Sequence, residues 1–370
     1  MRKLKRGVVW GFWGFITLLV LVGWLIYQSP KPPLVGLKMA REALAAAQKS
    51  EAEVYAREAY AVAEQAYDSA MVCWSTENKR FFLVRDYSQL DAWIALVIEK
   101  AMEAEQLSGD RSKSTNKRVR AGLDALERKV NRYERYFKRM PLPSSVVKAH
   151  NKGVLKLSEA KFAWQNKRFS EAEKHYQMAT ELINNSNEKA EVIVRQWFSG
   201  HANWQKQAKQ AVQMSKNGQK VILVDKLGHT CMVYQNGRVI SSFEAELGVN
   251  WMGDKQRKGD KATPEGIYRV TRKKDTANTK FYKALLINYP NDDDRQRFAL
   301  AKKNGILSAK TDIGGLIEIH GLGGKGVDWT DGCVALKNKD MDSLFRQVGV
   351  GTTVVIVGSL KPLSEVLGHD

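Results

Sequence analysis

The sequence changes its hydrophobic period once, at Lys220, and that change divides what the chain can become. Before it, apolar residues recur at steps of three and four. Leu123, Leu126, Val130, Tyr133 and Phe137 fall on one face of a helix. After it, short apolar runs stand between turn residues. Val221-Ile222-Leu223-Val224 opens a strand, Cys231-Met232-Val233-Tyr234 a second, and Asn236-Gly237 turns the chain back into Arg238-Val239-Ile240. Further strands are expected at 266–272, 283–288, 316–319 and 353–357. The fold class is α+β, with an all-α region before 218 and a β-rich domain of roughly 140 residues after it, an ordinary single-domain size.

The eight prolines sharpen these boundaries. Pro30, Pro32 and Pro33 make a stiff linker, and no proline follows until Pro141 and Pro143, nor after them until Pro264. Both proline-free stretches begin rich in Ala, Glu, Lys, Gln and Leu, which favour helix. Helix breaks are expected at 75–78, 107–116 (around Gly109), 141–145 and 167–170, with Ser170 and Glu173 as a capping box. The segment 160–182, with Trp164, Phe169, Ala172, Tyr176 and Ala179, resembles a single tetratricopeptide-type hairpin. One such repeat cannot bury its own face, so a plain antiparallel bundle is the expected form, with room for a spacing role or a protein partner.

Residues 8–27 form an uncharged apolar run behind Arg2, Lys3, Lys5 and Arg6. As a helix, twenty residues span about 30 Å, the thickness of a bilayer's hydrocarbon core. Trp10 and Trp13 near one end, and Trp24 and Tyr27 near the other, suit the two interfaces. The run is long for a cleaved signal, and 28–33 lacks a small-x-small cleavage pattern, so an uncleaved single-pass anchor is expected. The preceding positive charge keeps the N-terminus cytoplasmic and sends the rest outside. The domain plan is then a basic tip, anchor and exit at 1–33, helices at 34–217, the β-rich domain at 218–360, and a tail at 361–370.

Lys and Arg number 59 against 40 Asp and Glu, a formal charge of +19, which favours nucleic acid, anionic lipid or a carboxylate-rich polymer as partner. No basic run is interleaved with aromatics in a nucleic-acid module, and an extracytoplasmic domain excludes that partner. Three cysteines, Cys73, Cys231 and Cys333, allow one bridge at most, between Cys73 and Cys231, and leave a free thiol. No His or Cys cluster has metal-ligand spacing, so no metal is expected.

A nucleophilic thiol must be ionisable, accessible and paired with a base. Cys333 stands in Trp329-Thr330-Asp331-Gly332-Cys333-Val334, where glycine permits a tight turn, and His320 ends the apolar stretch Leu316-Ile317-Glu318-Ile319. By spacing alone, an inert buried thiol and a core histidine remain open readings. The wider pattern is specific. Ile319-His320-Gly321, a Gly-rich loop and Thr330-Asp331-Gly332-Cys333 resemble the L,D-transpeptidase catalytic (YkuD) domain, whose pattern is I-H-G followed by S/T-H-G-C. Gly248 with Ala262-Thr263-Pro264-Glu265-Gly266-Ile267-Tyr268, then Asn288-Tyr289-Pro290-Asn291 and Gly314-Gly315, extend the likeness over 218–358.

The resemblance implies Cys333 as nucleophile and His320 as base, with the Gly321 carbonyl orienting the imidazole and the Gly332 and Cys333 amides as oxyanion hole. Trp329, Thr330 and Asp331 fall on the substrate side. The implied substrate is the peptidoglycan stem peptide, attacked between the L-centre of diaminopimelate and D-Ala, without a cofactor, by a periplasmic domain on the inner membrane. The other residual histidines, His150, His175, His201, His229 and His369, match no motif and are expected at the surface or in structural roles. Two departures concern the acceptor: Asp331 replaces the usual histidine, and Ala335 an arginine often found there. The loop between His320 and Thr330 is also short. A hydrolase of the same fold is therefore a rival, as is a non-catalytic envelope scaffold, which the presence of both Cys333 and His320 opposes. An exposed Asp331 is expected to attract a cationic amine acceptor.

Overall fold

The computed structural model describes residues 2–368, with side chains in the first helix from Trp10 onward. His369 and the side chains of Arg2, Lys3, Lys5, Arg6 and Val8 lie outside the described residues. The helices are α1 (Arg2–Gln28), α2 (Leu34–Lys49), α3 (Ala52–Tyr55), α4 (Arg57–Lys79), α5 (Ser88–Tyr136), α6 (Ser144–Gln165), α7 (Phe169–Trp197) and α8 (His201–Ser215). They group into two compact units: Met1–Glu127 with Gly153–Thr180, and Arg128–Lys152 with Glu181–Asp370.

In the first unit, α1 contains one stretch, Trp10–Gln28, long and apolar enough to cross a membrane. Helices α2 to α5 meet through alanine. Ala40, Ala66 and Ala70 pack with Leu90, Ile94 and Val97, while Ala47, Ala63, Ala101 and Ala104 form a second cluster. Small side chains let helix backbones approach closely and keep propensity high. The break expected at 107–116 does not occur, because α5 runs through it. Its buried face continues across the polar stretch: Ser108 is fully buried, its hydroxyl 2.5 Å from that of Ser50, and Thr115 and Val119 follow in step. Packing on that face outweighs the roughly 1 kcal/mol that a glycine such as Gly109 costs a helix. The first expected break lies later, since α4 continues to Lys79. The turns at 137–143 and 166–168 do separate helices. Ser170 lies inside α7 rather than before it, so it does not cap that helix.

The second unit contains β1 (Val221–Asp225), β2 (Thr230–Gln235), β3 (Arg238–Glu246), β4 (Gly266–Lys274), β5 (Ala284–Ile287), β6 (Glu318–His320), β7 (Val334–Leu336) and β8 (Thr353–Val357). Helices α9 (Asp292–Lys303), α10 (Asn338–Gln347) and α11 (Leu363–Leu367) intervene or follow. The strands close in the order β1-β2-β3-β7-β6-β5-β4-β8. Asn236 and Gly237, both at positive φ (53° and 73°), make the β2–β3 turn. Leu316, at φ 58°, cannot extend a strand, so β6 begins two residues later than the apolar run suggests.

Strands β1 and β8 pair in parallel and are apolar on both faces. Ile222, Val224, Val354 and Ile356 point into the core that the strands enclose. Val221, Leu223, Val355 and Val357 point the other way, onto Tyr133, Phe137, Val194, Phe198, Trp204 and Ala211. The ends of α5 and α7, with α8, therefore cover one sheet of this unit. All three cysteines are free, so the bridge considered between Cys73 and Cys231 is absent. Cys231 is fully buried on β2, and its burial pushes the thiol up to about 12.

Candidate active site

The neighbouring strands β4, β5, β6 and β7 of the closed barrel set the site by register. His320 stands opposite Ala284 of β5 and Ala335 of β7, and Ile319 opposite Val334. Cys333 directly precedes β7, so it lies across from Glu318, two positions back from His320. Side chains alternate along a strand, so Cys333 and His320 project from the same face, while Leu285, Ile319 and Val334 enter the core. At strand spacings of about 4.8 Å and 3.3 Å per residue, their Cα atoms are about 8 Å apart, within reach of a thiol and an imidazole.

His320 is 1% exposed. Its ring stacks on Phe281 at 4.1 Å and meets the edge of Trp329 at 5.8 Å. Nδ1 lies 2.6 Å from the Gly321 carbonyl oxygen, which can only accept, so Nδ1 carries the proton and Nε2 keeps its lone pair. Burial pushes the imidazole below its ordinary value, against the Gly321 carbonyl and the Glu318 charge, with Lys325 and Lys280 adding to the depression. A glycine is required at 321, where a Cβ would meet Asn338 Oδ1 at 2.7 Å and the Phe281 carbonyl at 3.0 Å.

Cys333 is half-buried, and its thiol donates to the Leu316 carbonyl at 3.8 Å. Burial raises it to about 11, opposed by the Glu318 backbone N–H directed at the sulfur. Glu318 and Asp331 charges raise it further, and Lys255 lowers it. Both shifts favour the uncharged forms, thiol and imidazole. Gly332, at φ 127°, leaves no room for a side chain against the Ala262 carbonyl, 2.5 Å from where a Cβ would sit.

The surrounding loops are fixed by buried charge. Glu246, 8% exposed, accepts from the Gly324 and Gly326 amides at 3.1 and 2.6 Å and from Trp329 Nε1 at 2.7 Å. Lys325 lies 3.3 Å above the Trp329 ring. Asp328 accepts from the Leu247 amide at 2.7 Å and contacts His229 Nε2 at 2.9 Å. Burial opposes charge on His229 most strongly, but Asp328, the Leu227 carbonyl and Asp225 together outweigh it and the imidazole moves up. Behind Gly332, fully buried Lys226 donates to the carbonyls of Gly253 and Thr263 and to Glu265. Glu265 also accepts from Trp197 and Trp204, at 3.1 and 2.8 Å, so helices α7 and α8 brace the loop that backs the cysteine.

A family model described as the L,D-transpeptidase catalytic domain (YkuD) aligns with this part of the chain. Residues 219–356 match that family. A curated relative named "Putative L,D-transpeptidase YafK", from Escherichia coli (strain K12), is 34% identical over 98 residues, 26% of this chain and 32% of the relative. The chain thus spans about a third of that relative's length. Among solved structures, an L,D-transpeptidase from Xylanimonas cellulosilytica DSM 15894 is 18% identical with a TM-score of 0.26, covering 38% of this chain and 61% of that one. One from Stackebrandtia nassauensis is 20% identical with a TM-score of 0.26, covering 38% and 56%.

Within the matched residues 219–356 the seven residues singled out from the sequence separate. Cys333, His320, Gly321 and Gly332 gather as described above. Trp329 is half-buried and shields His320. Asp331 is exposed. Thr330 is buried. It is 4% exposed, and its hydroxyl donates to the Cys333 carbonyl at 2.7 Å while accepting from the Gly332 amide at 3.2 Å. That bond occupies one of the two amides expected to form the oxyanion hole. Glu246, Phe281, Glu318 and Lys274 escaped the sequence reading. Glu318 gave a local signal, a lone charge inside an apolar run two residues before the histidine.

Proposed function

We propose that this protein is a peptidoglycan L,D-transpeptidase in which Cys333 is the nucleophile and His320 Nε2 its general base. The observation that carries the reading is the shared face of β6 and β7. It presents a half-buried thiol and, on the neighbouring strand, an imidazole whose Nδ1 is held by a carbonyl, inside a domain that matches the family. Cys333 Sγ attacks the carbonyl between the L-centre of diaminopimelate and D-Ala as its proton passes to Nε2. The oxyanion forms beside the Cys333 amide, with the Gly332 amide available if it releases Thr330. Collapse expels D-Ala, whose amine takes the proton from the imidazole, and leaves a thioester on Cys333. An amine acceptor resolves it to a cross-link, and water to a free acid.

Because the thiol is held up near 11 and the imidazole is held down, proton transfer accompanies attack rather than preceding it. Residues 8–27 would anchor the chain in the inner membrane, with the helices (34–217) and the catalytic domain (218–360) in the periplasm. The test is mass spectrometry of tetrapeptide muropeptides incubated with the full chain in detergent. Release of D-Ala with cross-linked or trimmed product supports the reading, and the balance of those products separates transferase from hydrolase. Unchanged muropeptides would overturn it. Cys333→Ala should abolish turnover, and His320→Gln should cost roughly three orders of magnitude, by analogy with triad removals.

A further inference from the structure

The face that carries Cys333 and His320 carries two more ionisable groups. Lys274 of β4 stands opposite Ala284, which stands opposite His320, which stands opposite Ala335. Glu318 lies two residues before His320 and Cys333 two before Ala335, so alternation puts Lys274, Glu318, His320 and Cys333 on one side of the sheet. Ala284 and Ala335 are small and buried. Lys274 therefore crosses over Ala284 and reaches Glu318, with Nζ 2.6 Å from Oε1. Glu318 is 5% exposed, and burying such a pair carries a desolvation cost that packing alone does not require.

We propose that the Lys274–Glu318 ion pair is a positioning device for the Cys333–His320 pair, with the Glu318 carboxylate setting the proton balance between sulfur and imidazole. Lys274 fixes that carboxylate and limits its charge. The inference rests on Cys333 and His320 being the reacting groups. Burial is the largest influence on both, but among the charges around each, that of Glu318 is foremost. It favours the imidazolium that forms during attack and opposes a free thiolate at rest, which keeps the thiol protonated until a carbonyl is in place. The other charges are divided: Lys325 and Lys280 act against the imidazolium, Lys255 favours the thiolate, and Asp331 opposes it. Arg272 occupies the next position along the same face of β4 and is exposed.

The test is the pH dependence of Cys333 alkylation by iodoacetamide in the full chain in detergent, with the site resolved by peptide mass spectrometry. Glu318→Gln should lower the midpoint, making alkylation about tenfold faster below it, one pH unit being a factor of ten. Lys274→Met should raise the midpoint by a comparable amount, and the double variant should return near the parent. Midpoints unmoved in both single variants, with only a lower melting temperature, would make the pair structural and overturn the proposal. So would a shift in the same direction in both. The near-isosteric Glu318→Gln decides alone should Lys274→Met not fold. Alkylation needs no substrate, so a wrong assignment of peptidoglycan would leave this result standing.

Discussion

Glu246→Gln is a minimal perturbation with a calculable effect. The carboxylate holds three donors: Oε1 takes the amides of Gly324 and Gly326, and Oε2 takes Trp329 Nε1. A glutamine of the same shape can keep Oε1 on the two amides, but its NH2 then faces the indole N–H, donor against donor. Flipping the amide makes matters worse, since two backbone N–H groups would then face the NH2. The variant loses one charge-assisted bond, weakens two more and leaves a donor unsatisfied, about 2–4 kcal/mol in total. At ~3 °C per kcal/mol for a unit of this size, the melting temperature should fall by ~6–12 °C. Trp329 and the loop that shields His320 should loosen together, so D-Ala release should fall more than folding at the assay temperature explains. The measurements are calorimetry and D-Ala release on the same preparation. A melting temperature within ~1 °C of the parent, or full activity despite the drop, would show that Glu246 does not organise this loop.

Three further outcomes follow from the geometry. His320 is pushed below the ordinary ~6.5 by burial, so its basic form persists to lower pH, and the acid limb of kcat/KM should fall below 6.5; a limb above 6.5 would contradict the burial. Asp331 is exposed beside Cys333, and Asp331→His should change the ratio of cross-linked to hydrolysed product, read by chromatography. A fixed ratio with a shifted alkylation midpoint would mean that Asp331 tunes the thiol rather than selecting an amine. Trp204→Phe removes one donor to Glu265 and should lower the melting temperature by a few degrees, because the hydrogen bond to a buried carboxylate contributes about 1.5–3 kcal/mol; an unchanged melting curve would argue against bracing by α8.

What the sequence disclosed and what it hid divide along physical lines. Strands β1 and β8 are legible because burial on both faces leaves an unbroken apolar run, and Asn236-Gly237 because few residues adopt two successive positive φ angles. His320 and Cys333 were singled out by motif, and strand register brings them to one face. The continuity of α5 was not, since Ser108 and Thr115 look like loop residues until their burial is seen. Helix α9 was also missed, although Asn291 and Asp294 form a capping box that a scan for caps could have found. The carboxylates that organise the site are hidden for a different reason. Glu318 meets Lys274 and Glu246 meets Trp329 across separations of 44 and 83 residues. Strand register creates those pairs, and no local pattern encodes it.

The central claim is that Cys333 becomes acylated by a stem peptide with His320 as base. The direct measurement is intact mass after incubation with a tetrapeptide muropeptide and acid quench, followed by peptide mapping. One acyl adduct is predicted, equal to the donor less D-Ala, on Cys333, absent from Cys333→Ala and much slower to form in His320→Gln. D-Ala release with no adduct on Cys333, or an adduct that persists in Cys333→Ala, would contradict the account.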